Sequence, residues 1–168
     1  MKFWVLGLAL VVAPLQSPAS AQDECPSGRP FRLIPTIAPV VGQSPMWVTT
    51  GSGPIVWEGS NNPAPVVWIR DRAVKGPAFL SGKDRAGTGK ARFATTLYGL
   101  PEERFKLDLL GVKPTAVKEV DLQRYTFHRT YVWFPAAACY EITARVGQQQ
   151  SMIYLSVGPR EEPRKAKR

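Results

Sequence analysis

The chain has 168 residues, 44% of them hydrophobic and 21% charged, and its 22 Lys and Arg against 13 Asp and Glu give a formal net charge of +9. Such a length suits one domain with processing and tail segments, and it buries a core without metals or many disulfides. A single histidine excludes a multi-histidine metal centre, and two cysteines limit the chain to one intramolecular bridge.

At the N-terminus Lys2 supplies positive charge, Phe3 to Ala13 an apolar run, and Pro14 to Ala21 a helix-breaking stretch ending Ala19-Ser20-Ala21. This is the pattern of a signal peptide over 1–21, cleaved between Ala21 and Gln22. A membrane anchor is the competing reading, but the apolar run falls short of the roughly 20 residues a bilayer crossing needs. Cys25 follows Gln22-Asp23-Glu24, where lipid attachment would want small uncharged residues, so lipidation is not expected. Export favours a bridge between Cys25 and Cys139. In the chain-entropy model a loop of that length stabilises by about 4 to 5 kcal/mol. The alternative leaves Cys25 in a frayed terminus and Cys139 isolated on its strand.

Residues 22–45 carry Pro26, Pro30, Pro35, Pro39 and Pro45 among Phe31, Leu33, Ile34, Val40 and Val41. Proline cannot donate to a ladder, so this stretch reads as an extended lead-in or an edge strand. Met46 to Thr50 is the first full strand, ended by Gly51-Ser52-Gly53-Pro54. Ile55 to Glu58 follows, before the turn cluster Gly59-Ser60-Asn61-Asn62-Pro63. Val66-Val67-Trp68-Ile69 is near-continuously apolar, as a strand buried on both faces would be. Gly76-Pro77 turns into Ala78 to Gly82, and Gly87-Thr88-Gly89 turns into Lys90 to Ala94, where Ala91 and Phe93 share a face opposite Lys90 and Arg92. Phe105 to Leu109 alternates too, although Pro101-Glu102-Glu103 has the makings of a short helix start. Val112 to Val120 is irregular, and Tyr125 to Tyr131 restores alternation.

The chain then makes a hairpin. Tyr140, Ile142, Ala144 and Val146 alternate with Cys139, Glu141, Thr143 and Arg145, Gly147 and three glutamines interrupt, and Ile153, Leu155 and Val157 resume. The last residues, 159–168, lack apolar periodicity and read as a basic, disordered tail. About seven to nine short antiparallel strands over 46–158, with no convincing amphipathic helix, point to an all-β sandwich or barrel.

The run PVVWIRDRAVKGPAFLSGKDRAGTGKARF, followed by YTFHRTYVWFPAAACYEITARV, resembles a group of exported bacterial proteins of unassigned function with an immunoglobulin-like β-sandwich. The positions that carry the resemblance are Trp68, Gly76-Pro77, Gly82, Gly87 to Gly89, Arg92-Phe93, and Pro135 through Cys139-Tyr140. Ala138 stands where that pattern places glycine. The resemblance spans roughly Met46 to Val157 and implies an immunoglobulin-like sandwich; it brings no catalytic residue with it.

Little in the chain has the spacing of catalytic equipment. His128 lies on an alternating strand with Thr126 and Thr130 on its face and no orienting carboxylate or nucleophile beside it, so a half-exposed structural histidine is expected. Neither Ser52 nor Ser81 sits in G-x-S-x-G. Gly87-Thr88-Gly89-Lys90 lacks the upstream glycine of a phosphate loop and reads as a hairpin turn. Glu102-Glu103 and Glu161-Glu162 read as surface charge, and Glu58, Asp71 and Asp84 are candidates for a carboxylate pair of the glycosidase kind. Trp57 and Trp68 read as core residues rather than as a sugar platform. Arg70, Arg72, Lys75, Lys83, Arg85, Lys90 and Arg92 crowd into three consecutive loops and strand ends, with only Asp71 and Asp84 against them. They are the candidate anion-binding patch.

The expected function is that of an exported, non-enzymatic binding or adaptor module of the bacterial cell envelope, without metal or cofactor. Its expected partner is an anionic envelope component or another envelope protein rather than nucleic acid. The alternatives are an envelope hydrolase using surface carboxylates and a structural subunit of an envelope assembly.

Overall fold

A computed structural model describes residues 25–51, 53–108 and 111–159. The expected leader with its expected cleavage point between Ala21 and Gln22, and the expected tail from Arg160 onward, lie outside the described residues. The chain builds β1 (Val40–Gln43), β2 (Met46–Thr49), β3 (Ile55–Trp57), β4 (Ala64–Asp71), β5 (Ala78–Asp84), β6 (Lys90–Ala94) and β7 (Arg104–Lys106). A short helix, α1 (Glu119–Arg124), precedes β8 (Tyr125–Trp133), β9 (Cys139–Val146) and β10 (Gln149–Pro159).

These strands form one continuous sheet in the order β1-β2-β4-β8-β6-β5-β9-β10-β3, with β7 on β5. All the pairings are antiparallel except that of β3 with β10. The sheet curls into a half-barrel, bringing Gly42 of β1 against Ile153 of β10. Curling follows from the side-chain pattern: Val66, Trp68, Leu80, Phe93, Tyr140, Ile142, Ile153 and Leu155 all project into one interior cluster and gain most by meeting across it. Gly82 belongs to this packing, because a Cβ there would crowd Ile142 and Ala91.

Strand β8 is buried on both faces. Its outward Tyr125 and Phe127 join Trp47 and Ile69 in a second cluster closed over by Ile34 and Val117, with Leu33, Ile37 and Leu122 at its margin. The apolar residues among the prolines of the lead-in therefore roof the outside of β2, β4 and β8. A disulfide from Cys25 to Cys139, Cα to Cα 5.3 Å, pins the start of that roof to the start of β9. Within the same stretch β1 forms one end of the strand order.

Several local details differ from the sequence reading. α1 begins only at the end of the segment read as irregular, Val112 to Val120, and continues through residues given no element; its Glu119 and Asp121 lie in the first turn and Arg124 in the last, and it buries no residue. Charge at its ends, which complements the helix dipole, and not an apolar stripe is what distinguishes it. Glu102 is bridged to Phe93, in line with the strand reading of this stretch rather than the helix start weighed beside it. The β9–β10 turn is shorter than the run of glutamines, since Gln149 already pairs with Val146. Gly147 makes this tight turn with φ +58°, and a side chain there would fall on the Lys75 carbonyl, so only glycine fits.

The half-barrel has two ends. β4 finishes at Asp71 beside Tyr125, the first residue of β8, and β5 finishes at Asp84 beside Tyr140, near the start of β9. The turn leaving β4 and the turn leaving β5 thus lie at opposite ends.

Candidate anion-binding site

Strand direction divides the basic residues singled out above. Arg70 pairs with Thr126 at the beginning of β8, whereas Arg92 pairs with Trp133 at its end. At about 3.3 Å per residue this separates them by about 23 Å. Arg70, Arg72 and Lys75 come together at the Asp71 end, and Lys83, Arg85, Lys90 and Arg92 belong to the other half of the molecule.

At the Asp71 end the architecture starts with Arg70, which shares the inward face of β4 with Val66 and Trp68. Its guanidinium Nη2 donates to the Val74 carbonyl at 2.9 Å and the Gly76 carbonyl at 2.8 Å, tying down the turn between β4 and β5. Burial lowers its pKa from the ordinary arginine value; the charged form persists because arginine titrates so far above neutrality. Asp71 accepts the Ala73 N–H at 2.9 Å and the Ser44 hydroxyl at 3.5 Å, so its carboxylate is engaged in shaping the turn. Lys75 Nζ donates to the Arg72 carbonyl at 2.9 Å, and the Arg72 N–H donates to the Arg124 carbonyl at 2.9 Å, which joins the turn to α1.

The Arg72 side chain is exposed and makes no hydrogen bond or ion pair among the described residues. It borders three adjoining depressions. One of about 280 Å³ is lined by Arg70, Arg72, Lys75 and Thr126. The second, of about 400 Å³, adds Asp71, Ala73, Gln123 and Arg124. A third, of about 260 Å³, runs along Lys113, Glu119, Tyr125 and Thr126. Arg124 stacks over Tyr125 with its guanidinium carbon 5.2 Å from the ring centre, and Lys113 pairs loosely with Glu119 at 3.6 Å, both ends well exposed. A fork of guanidinium N–H groups beside a lysine is suited to carboxylate, sulfate or phosphate oxygens. Arg124, Lys113 and Thr126 escaped the sequence reading: Lys113 lies in the segment that carries no period, Arg124 ends a helix without an apolar stripe, and Thr126 looks like any strand threonine.

Beneath this site His128 is only 3% exposed, in contrast to the half-exposed position expected of it. The difference comes from the curl, which puts Thr126, His128 and Thr130 on the inside. His128 Nε2 lies 3.3 Å from Thr126 Oγ1, and Nδ1 is buried without a hydrogen-bond partner. Burial, and then the Arg70 guanidinium, push its pKa below the usual histidine range, against an opposing pull from Asp108. The ring is therefore neutral at pH 7 and is a buried residue of the inward face of β8.

In the other group the cations are largely engaged. Lys83 lies 3.4 Å from Glu141 and Lys90 2.7 Å from Glu103, along a trough of about 420 Å³ that also includes Arg104. The Arg85 guanidinium lies 5.5 Å over the Tyr154 ring. Such exposed pairs contribute little stability, but they leave less free positive charge for an external anion. The remaining candidates are structural. Trp68 is fully buried and its Nε1 donates to Thr130 Oγ1 at 2.8 Å; Trp57 Nε1 donates to the Phe134 carbonyl at 3.0 Å. Asp84 accepts the Ala86 N–H at 2.9 Å in the β5–β6 hairpin turn, at the end away from Asp71, so these two carboxylates do not meet. A further depression, of about 430 Å³, opens between β3 and β4 and is lined by Pro54, Pro63 and Pro65 together with Glu58 and Asn62. It offers no convergent charge. Among the described residues no group of His, Cys, Asp or Glu is arranged to hold a metal ion, and no helix is long and apolar enough to cross a membrane. No protein-family model, curated protein or solved structure matches the chain.

Proposed function

We propose that the chain is an exported, non-enzymatic binding module of the bacterial cell envelope that holds an acidic group at the Arg72 end of the half-barrel. The observation that carries this reading is the unpaired Arg72 guanidinium at the meeting of three depressions, flanked by Lys75, Arg70 and Arg124. The two acids nearby are already engaged, Asp71 by the Ala73 N–H and Glu119 by Lys113. The ligand class is an anionic envelope polymer or headgroup, drawn in by the overall positive charge.

The disulfide and the leader pattern support export, since such bridges persist in oxidising compartments. An immunoglobulin-like relationship is supported by Tyr140, whose hydroxyl donates to the Ala136 carbonyl at 3.0 Å and accepts the Ala136 N–H at 3.2 Å. A tyrosine reaching back to the main chain a few residues upstream, with a buried tryptophan on an inner strand, is a hallmark of those sandwiches.

Heparin serves as the polyanion probe. The mature protein is retained and released by salt, and the triple variant R72A/K75A/R124A elutes at clearly lower salt than wild type. The triple variant K83A/R85A/K90A removes the same formal charge and elutes closer to wild type. Equal displacement by the two variants would reject the Arg72 end as the site.

A further inference from the structure

Between β6 and β7 the chain leaves the sheet. Phe93 and Glu102 are bridged at the base of this excursion, and the Gly99 N–H donates to the Thr96 carbonyl at 3.1 Å, closing a turn. That turn carries Leu97 and Tyr98 at its apex and Leu100 just beyond. Tyr98 is 93% exposed, Leu100 91% and Leu97 43%. Removing one side chain of this size from water moves an equilibrium by about tenfold to a hundredfold, so leaving three in solvent side by side is costly for a surface that meets only water.

None of the depressions described above borders residues 95–101; the tip projects outward. Its stem is cationic. Lys90 and Arg92 lead into it and Arg104 and Lys106 lead out, against Glu102 and Glu103, and Glu103 is held by Lys90 at 2.7 Å. Arg92 makes no ion pair among the described residues, and Arg104 lies over the Phe79 ring, 5.0 Å from its centre. A convex apolar apex that includes a tyrosine, with positive charge set back along the stem, is complementary to an anionic lipid surface. Leucine enters the acyl boundary, tyrosine rests among the headgroups, and the basic stem faces lipid phosphates. A protein partner would instead have to supply a pocket for the whole apex.

We propose that the Leu97–Leu100 tip docks the protein on an anionic bilayer. The site is separate from the Arg72 end and does not depend on what binds there. The test is co-sedimentation of the mature chain with vesicles of phosphatidylcholine alone or of phosphatidylcholine with phosphatidylglycerol. The wild type partitions onto the anionic vesicles, less so as salt rises. The variant L97S/Y98S/L100S partitions at least about a hundredfold more weakly, even with each side chain only partly withdrawn from water, with its far-UV circular dichroism and its elution from heparin unchanged. As a second readout, the Trp introduced by Tyr98→Trp gains fluorescence that brominated lipid quenches. The proposal is overturned if the wild type ignores both kinds of vesicle or if the triple serine variant sediments like wild type. It is equally overturned if R72A/K75A/R124A abolishes vesicle binding while the tip variant retains it.

Discussion

Removing the Cys25–Cys139 bridge tests how much of the fold depends on pinning the lead-in. The two cysteines are 114 residues apart in sequence, and the chain-entropy relation for a loop of that size gives about 4.8 kcal/mol at 25 °C. A compact unfolded state lowers this figure, because the ends of the open chain are then already closer than in a random coil. Acting in the other direction, release of residue 25 loosens the segment whose Ile34 roofs Trp47, Ile69 and Phe127 on the outer face of the sheet. Urea unfolding of the chain from Gln22 onward with and without reductant, beside the double variant C25S/C139S, gives the measurement. The expected loss is about 3 to 5 kcal/mol, the same for reduced wild type as for the variant, with no further effect of reductant on the variant. A loss below about 1 kcal/mol, well under the loop-closure figure, would refute the reasoning and mean that the outer cluster holds the lead-in in place unaided.

Two further predictions concern polar groups at opposite ends of the half-barrel. Tyr140→Phe removes both hydrogen bonds to Ala136 and is expected to lower stability by about 1 to 2 kcal/mol in urea unfolding; an unchanged midpoint would remove this tyrosine contact from the account of the fold. His128 is held neutral by burial and by Arg70, so its folded pKa is depressed and the unfolded chain takes up its proton first. Stability from this group is complete above about pH 6.5 and is lost as pH falls toward the folded value. H128Q is expected to flatten the decline of the urea midpoint between about pH 7 and about pH 5, and an equally steep decline in the variant would assign the acid sensitivity to other groups.

The strands were legible wherever one face is apolar and the other is not. β9 shows this best, since Tyr140, Ile142, Ala144 and Val146 are all buried while Glu141, Thr143 and Arg145 face outward to differing degrees. β6 behaves alike, with Ala91 and Phe93 buried and Lys90 and Arg92 exposed. Helix α1 was illegible because it is short and has no buried face to impose a period of 3.6. The grouping of charges was illegible for a different reason. Arg72 and Arg85 are close in sequence, but each successive strand reverses direction and carries the next loop to the far end, so proximity depends on strand polarity rather than on spacing. The burial of His128 likewise depends on the curl of the whole sheet, which brings β1 to β10 and is not a property of β8 alone.

The parallel pairing of β3 with β10 joins Ile55, Val56 and Trp57 to the last of the described residues, Val157, Gly158 and Pro159. A strand made early in synthesis thus stays without its partner until on the order of 100 further residues have followed, which is a high-contact-order arrangement and a slow one to complete. This short seam is therefore among the last to close. Truncation before Val157 would therefore leave Ile55, Val56 and Trp57 without their strand partner, however completely the rest of β10 pairs with β9.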